Sequence, residues 1–150
     1  MTLEEEIKNS TPIPPKTRAA LNILFTASWL DCMMNRNLRE YGLTNPQYNI
    51  LRILKGSPRG LSVLDIKSRM IDRSSNVSRL VEKLREQGYA ERISSCEDRR
   101  MVVVSITPKG LDLIEAVGTD MVKTPDENPG GTMTEEELTQ LSLLIDKFRS

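Results

Sequence analysis

Histidine is absent from this 150-residue chain. Its absence removes the commonest general base and the commonest metal ligand. Cysteine occurs only twice, at Cys32 and Cys96, which excludes a CxxC redox or metal motif. No glycine-rich phosphate loop is present, and the acidic residues fall mostly on solvated helix faces. These gaps leave catalysis without candidate residues. The expectation is a protein that is not an enzyme and uses neither cofactor nor metal. No stretch approaches the roughly 18 apolar residues of a membrane span. The first ten residues, MTLEEEIKNS, are acidic and lack the apolar core of a secretory leader. A reduced, cytoplasmic protein without a membrane association is therefore expected.

Net charge is also missing, with 21 basic and 21 acidic side chains. The balance conceals an uneven distribution. Residues 1–58 carry 7 basic and 5 acidic groups, residues 59–109 carry 11 and 7, and residues 110–150 carry 3 and 9. The middle of the chain is basic and its tail acidic. A local positive surface attracts phosphate whatever the total, although a mixed-charge solvated surface has the same composition.

What is present is mostly helical periodicity. Residues 1–15 read as a flexible tail ending in three prolines within four residues (Pro12, Pro14 and Pro15). From Lys16 to Tyr41, Ile23, Ala27, Leu30, Met34, Leu38 and Tyr41 form an apolar stripe. Leu21, Leu24, Phe25, Trp29 and Met33 make it wider than one domain face normally covers. Burial against a second subunit explains such width. A second helix runs from Leu43 to Leu54 with Thr44 and Gln47 as a capping box. A third follows Ser62, with Asp65 reaching back. A fourth starts near Ser74 and ends at Gly88, with Val77, Leu80, Val81 and Leu84 as its core stripe.

The period then changes. Tyr89–Ser94 and Arg100–Thr107 read as two strands, the second with Val102, Val104 and Ile106 on one face and Met101, Val103 and Ser105 on the other. Thr107-Pro108 opens a fifth helix, and Thr134 with Glu137 caps a sixth. Three short helices followed by a hairpin are the layout of a winged helix-turn-helix, whose last short helix enters the DNA major groove. The fold expected is mainly α with a small β-hairpin wing, flanked by long N- and C-terminal dimerisation helices. Residues 16–42 form the first dimerisation helix, 43–107 the DNA-binding lobe and 108–150 the C-terminal dimerisation helices.

The fourth helix keeps its apolar residues on one side. Ser74, Ser75, Asn76, Ser78 and Arg79 remain at its N-terminal end, where free N–H groups bind phosphate. Asn pairs bidentately with adenine and Arg with guanine. Ser74 and Ser75 serve equally well as helix caps. At the hairpin tip, Asp98, Arg99 and Arg100 present two guanidiniums to a minor groove, with Asp98 bracing Arg100; an ordinary charged turn has the same residues. Arg73, Lys83, Lys67 and Arg69 are candidate phosphate contacts.

Three runs carry a resemblance: LTNPQYNILRIL, SSNVSRLVEKLREQGYAER and EDRRMVVVSITPKG. From Leu43 to Leu113 the sequence resembles the MarR (multiple antibiotic resistance regulator) family. The resemblance implies a homodimeric regulator, most simply a repressor, on palindromic double-stranded DNA, with Asp98 and Arg100 acting together in the wing. Many members release DNA when a small phenolic or other effector binds, or when a cysteine is oxidised. No residue pattern here identifies an effector or its site. Trp29, Met33 and Met34 suit either a ligand pocket or a dimer core. Cys32 lies too far along its helix to match the family's peroxide-sensing cysteine. Two rival readings remain: a winged-helix module for protein–protein assembly, and a redox-sensing DNA-binding regulator using Cys96.

Overall fold

The computed structural model describes residues 2–95, 100–123 and 129–150, with side chains omitted for 120–123. The expectations placed on Cys96, Asp98 and Arg99 lie outside the described residues.

Leu3–Glu6 forms a four-residue helix, α1, in the stretch expected to be only a tail. Thr2 and Glu5 close a capping box around it, Leu3 is buried, and Glu4 pairs with Arg18 through a 2.5 Å contact. Pro15–Arg39 is the long helix α2. It starts at Pro15 because the first helical position has no N–H to satisfy and its φ is already set.

Asn45–Lys55 (α3) begins after Thr44, whose N–H donates to Gln47 Oε1 at 2.9 Å. Val63–Arg69 (α4) follows Ser62, whose Oγ accepts the Asp65 N–H at 3.1 Å. Asp65 bonds to the Ser62 hydroxyl at 2.6 Å. Val77–Glu86 is α5. It ends in a Schellman turn: Tyr89 N–H reaches Leu84 O, Gly88 N–H reaches Arg85 O, and Gly88 takes φ +78°.

Strands β1 (Ala90–Ser94) and β2 (Val102–Ile106) pair antiparallel, with Ala90 opposite Ile106 and Ser94 opposite Val102. The expected alternation in β2 is broken, since Val103 and Val104 are both buried while Val102 is exposed. The reason is a third backbone segment. Leu61 exchanges two hydrogen bonds with Val104, at 2.9 and 2.8 Å, and Gly60 lies under Val103. A Cβ at Gly60 would meet Val103 Cγ2 at 2.8 Å, on a backbone with φ +76°.

Pro108–Lys123 (α6) and Glu135–Arg149 (α7) complete the chain. One core joins Leu38 of α2 to Ile50, Leu51 and Leu54 of α3, Ile66, Val81, Leu84, Val104 and Val117. Each such side chain contributes about 1.5–3 kcal/mol by leaving water. The rest of α2 stays outside this core, with Leu24 66% and Trp29 48% exposed. Met34 packs at the core's edge. Helix α7 has no buried residue, and Leu138, Leu141, Leu144 and Phe148 are exposed along it. Among the described residues no helix is long and apolar enough to cross a membrane.

Candidate nucleic-acid interface

Helix α5 divides cleanly into two faces. Val77, Val81 and Leu84 are buried, while Ser78, Arg79 and Lys83 face solvent. Among the described residues neither Arg79 nor Lys83 forms an ion pair. Alongside them a shallow groove of about 360 Å³ is lined by Pro46, Ser75, Asn76, Arg79, Leu80 and Lys83.

The start of α5 differs from the sequence expectation. The helix begins at Val77 rather than near Ser74, and Asn76 is its cap. Asn76 Oδ1 accepts the Arg79 N–H at 3.2 Å. That bond takes one of the two lone pairs of the oxygen a bidentate adenine contact would use, and leaves the amide N–H donors free of the cap. Ser74 and Ser75 do not cap the helix. They belong to the preceding turn, where Asp72 collects them: Oδ1 accepts from Ser74 N–H at 2.9 Å and from its hydroxyl at 2.6 Å. Asp72 Oδ2 accepts from the Ser75 hydroxyl at 3.1 Å. The Ser74 bonds, followed by that of Ser75, hold the Asp72 carboxyl below the usual aspartate range.

Arg73 is exposed on this turn, and Lys67 and Arg69 are exposed on α4. Arg69 is partly engaged, since its guanidinium donates to Ser57 Oγ at 3.2 Å. The structure thus gathers Arg73, Ser74, Ser75, Asn76, Ser78, Arg79 and Lys83 within one turn and the helix after it. Of Asp98, Arg99 and Arg100 only Arg100 is described; it is exposed and lies two residues before β2.

Sequence reasoning missed the groups that fix this surface. Glu82 of α5 pairs with Arg92 of β1 and, at 2.6 Å, with Arg85, so α5 and the hairpin are tied. Lys109 closes the other end of α5: its Nζ donates to Gln87 O at 2.8 Å and sits 4.8 Å from the Tyr89 ring centroid. Thr107 hydroxyl donates to Gly88 O at 2.6 Å and accepts the Gly110 N–H at 3.1 Å. A Cβ on Gly110 would lie 2.3 Å from Tyr89 O. The run Thr107-Pro108-Lys109-Gly110 is therefore a clamp on the end of α5. Its signal in the sequence was plain, but its partners lie about twenty residues upstream.

Residues 43–110 match the family described as winged helix DNA-binding domain. The crystal structure of a MarR/EmrR family transcriptional regulator from Acinetobacter sp. ADP1 superimposes with a TM-score of 0.72. The two are 26% identical, and the match covers 91% of this chain and 96% of that one. The chain is similar in sequence and fold to MarR-family winged-helix transcriptional regulators.

Two regulators match over less of the chain. The HTH-type transcriptional regulator PecS of Dickeya dadantii is 25% identical over 79% of this chain and 72% of its own. The HTH-type transcriptional repressor IacR of Pseudomonas putida is 26% identical, over 75% of this chain and 66% of its own. The chain therefore spans about two-thirds to three-quarters of these two relatives.

Proposed function

We propose that this chain is a cytoplasmic, non-enzymatic repressor of the MarR type that binds palindromic double-stranded DNA as a homodimer. The observation that carries the DNA reading is the polar face of α5, where Ser78, Arg79 and Lys83 are exposed on the side away from the buried Val77, Val81 and Leu84. Arg79 reads base edges, Asn76 contributes its amide donors, and Ser78 lets the backbone approach closely. Ser74, Ser75, Arg73, Lys83, Lys67 and Arg69 contact phosphates. Arg100 and Arg99 grip the minor groove, with Asp98 bracing Arg100. Repression as the direction is supported by IacR, which is a repressor.

The dimer reading rests on the bare helices. An isolated helix of fifteen residues is marginal in water, so α7 needs a partner for its exposed Leu138, Leu141, Leu144 and Phe148. A second subunit supplies one, along with a cover for Leu21, Leu24, Phe25 and Trp29 of α2. Helices α2, α6 and α7 are thus the dimerisation elements. For a releasing effector, a groove of about 770 Å³ between α3 and α6 offers Tyr48, Arg52, Lys55 and Thr119.

Arg79→Ala separates base reading from phosphate binding. Loss confined to particular base pairs supports the assignment; a uniform loss across sequences makes Arg79 a phosphate contact.

A further inference from the structure

We infer that Ile71 reads the 5-methyl group of a thymine in each half-site; this rests on the DNA-binding reading above. Ile71 is 84% exposed, more than any other large apolar side chain among the described residues. A single exposed isoleucine is ordinary on a mobile surface. This one sits on a fixed backbone. Its N–H donates to Asn49 Oδ1 of α3 at 3.1 Å, and the preceding Met70 is buried at 2% exposure. The following residue, Asp72, is bonded to Ser74 and Ser75. The branched side chain is therefore held outward by bonds on both sides.

Its neighbours define the partner. Arg73 lies two residues on, and Asn76 and Arg79 start the recognition helix immediately after the turn. Cations and amide donors that follow closely on one rigid apolar group, with the intervening Asp72 carboxylate taken up by Ser74 and Ser75, match a surface that is anionic yet carries isolated methyl groups. The major groove of duplex DNA is such a surface, and among the bases only thymine presents a methyl there. A purely apolar protein partner would leave these charges buried without counterparts.

The test uses the full-length protein and a duplex selected from a random pool, with single symmetric pairs of thymines replaced by deoxyuridine. Deoxyuridine removes the methyl and leaves every hydrogen-bonding group. For one pair of positions the wild type should lose about fourfold in affinity per half-site, the effect of one buried methyl. Ile71→Ala should bind the unmodified duplex correspondingly less tightly and be indifferent to deoxyuridine at that pair. Its exposed position means that its melting curve should match wild type. Equal deoxyuridine effects in wild type and Ile71→Ala, with sequence preference retained, would overturn the thymine contact and point to a protein partner for Ile71. Failure of selection to enrich any duplex would overturn the DNA reading itself, and the thymine contact with it.

Discussion

Asn45 Nδ2 donates to Asp31 Oδ1 at 2.7 Å, joining the first residue of α3 to the middle of α2. Asp31 Oδ2 accepts from Asn35 Nδ2 at 3.0 Å, and Asn35 Oδ1 accepts the Asn45 N–H at 3.2 Å. Three side chains thus close a loop between the arm that carries the exposed Trp29 and the lobe that carries α5.

Removing the junction should loosen the arm rather than unfold the lobe. Asp31→Ala should cost about 1 kcal/mol, because these groups are reached by water and one hydrogen bond nets about 0.5–1.5 kcal/mol. Its larger effect should be on geometry. Wild type should prefer one half-site spacing, and Asp31→Ala should tolerate spacers one base pair longer or shorter. Binding measured over a set of spacer lengths checks this.

Asn76 has two separable roles. Asn76→Ala should cost about 0.5–2 kcal/mol through the lost cap. Asn76→Asp keeps a cap oxygen and should melt as wild type does, yet bind DNA less tightly because a carboxylate replaces the amide donors. Equal affinity for Asn76→Asp and wild type would limit Asn76 to capping. Thermal denaturation and equilibrium binding on the same samples separate the two.

Two glycines of α6 should respond in opposite directions. At Gly118 an added Cβ meets nothing within 4 Å, so Gly118→Ala should stabilise by about 0.5–1 kcal/mol. At Gly110 the added carbon meets backbone, which cannot swing aside as a side chain does. Gly110→Ala should destabilise by more than about 2 kcal/mol. Denaturant unfolding of both variants measures the pair.

Acid should release the N-terminal segment. The Arg18 guanidinium beside Glu4 holds its carboxyl at about 2, down from an ordinary 4.5. A carboxylate with a depressed folded-state pKa stabilises the folded form fully above its unfolded value and loses that contribution as pH falls through the folded one. The tie between α1 and α2 should therefore weaken from about pH 4.5 toward pH 2. Amide protection at Glu6 and Ile7, corrected for the intrinsic pH dependence of exchange and followed over that range, should fall in wild type and be flat in Glu4→Gln.

Much of the fold was legible because its signals are local. The Thr44 and Thr134 caps, the stop at Gly88 and the Thr107-Pro108 start each depend on residues within one helical turn, where sequence spacing and spatial distance coincide. The starting point of α5 was misplaced because Ser74, Ser75 and Asn76 are all good caps. Only the position of Asp72, which bonds the two serines, decides for Asn76. The burial of Val103 was hidden for another reason: Gly60 and Leu61 reach β2 from more than forty residues away. For the candidate site, the one-sided apolar stripe of α5 marked the polar and cationic residues that the structure leaves exposed. The ties from Glu82 to Arg92, Lys109 to Gln87 and Asn49 to Ile71 join residues ten to twenty-two apart, and no periodicity marks them.

The most direct test is fluorescence anisotropy of the purified protein on duplex from its own upstream region, against a scrambled duplex, at several salt concentrations. A dimeric DNA reader should prefer the upstream duplex, with log affinity falling linearly and steeply against log salt as condensed counterions are released. Weak binding, equal on both duplexes and nearly independent of salt, would contradict the account.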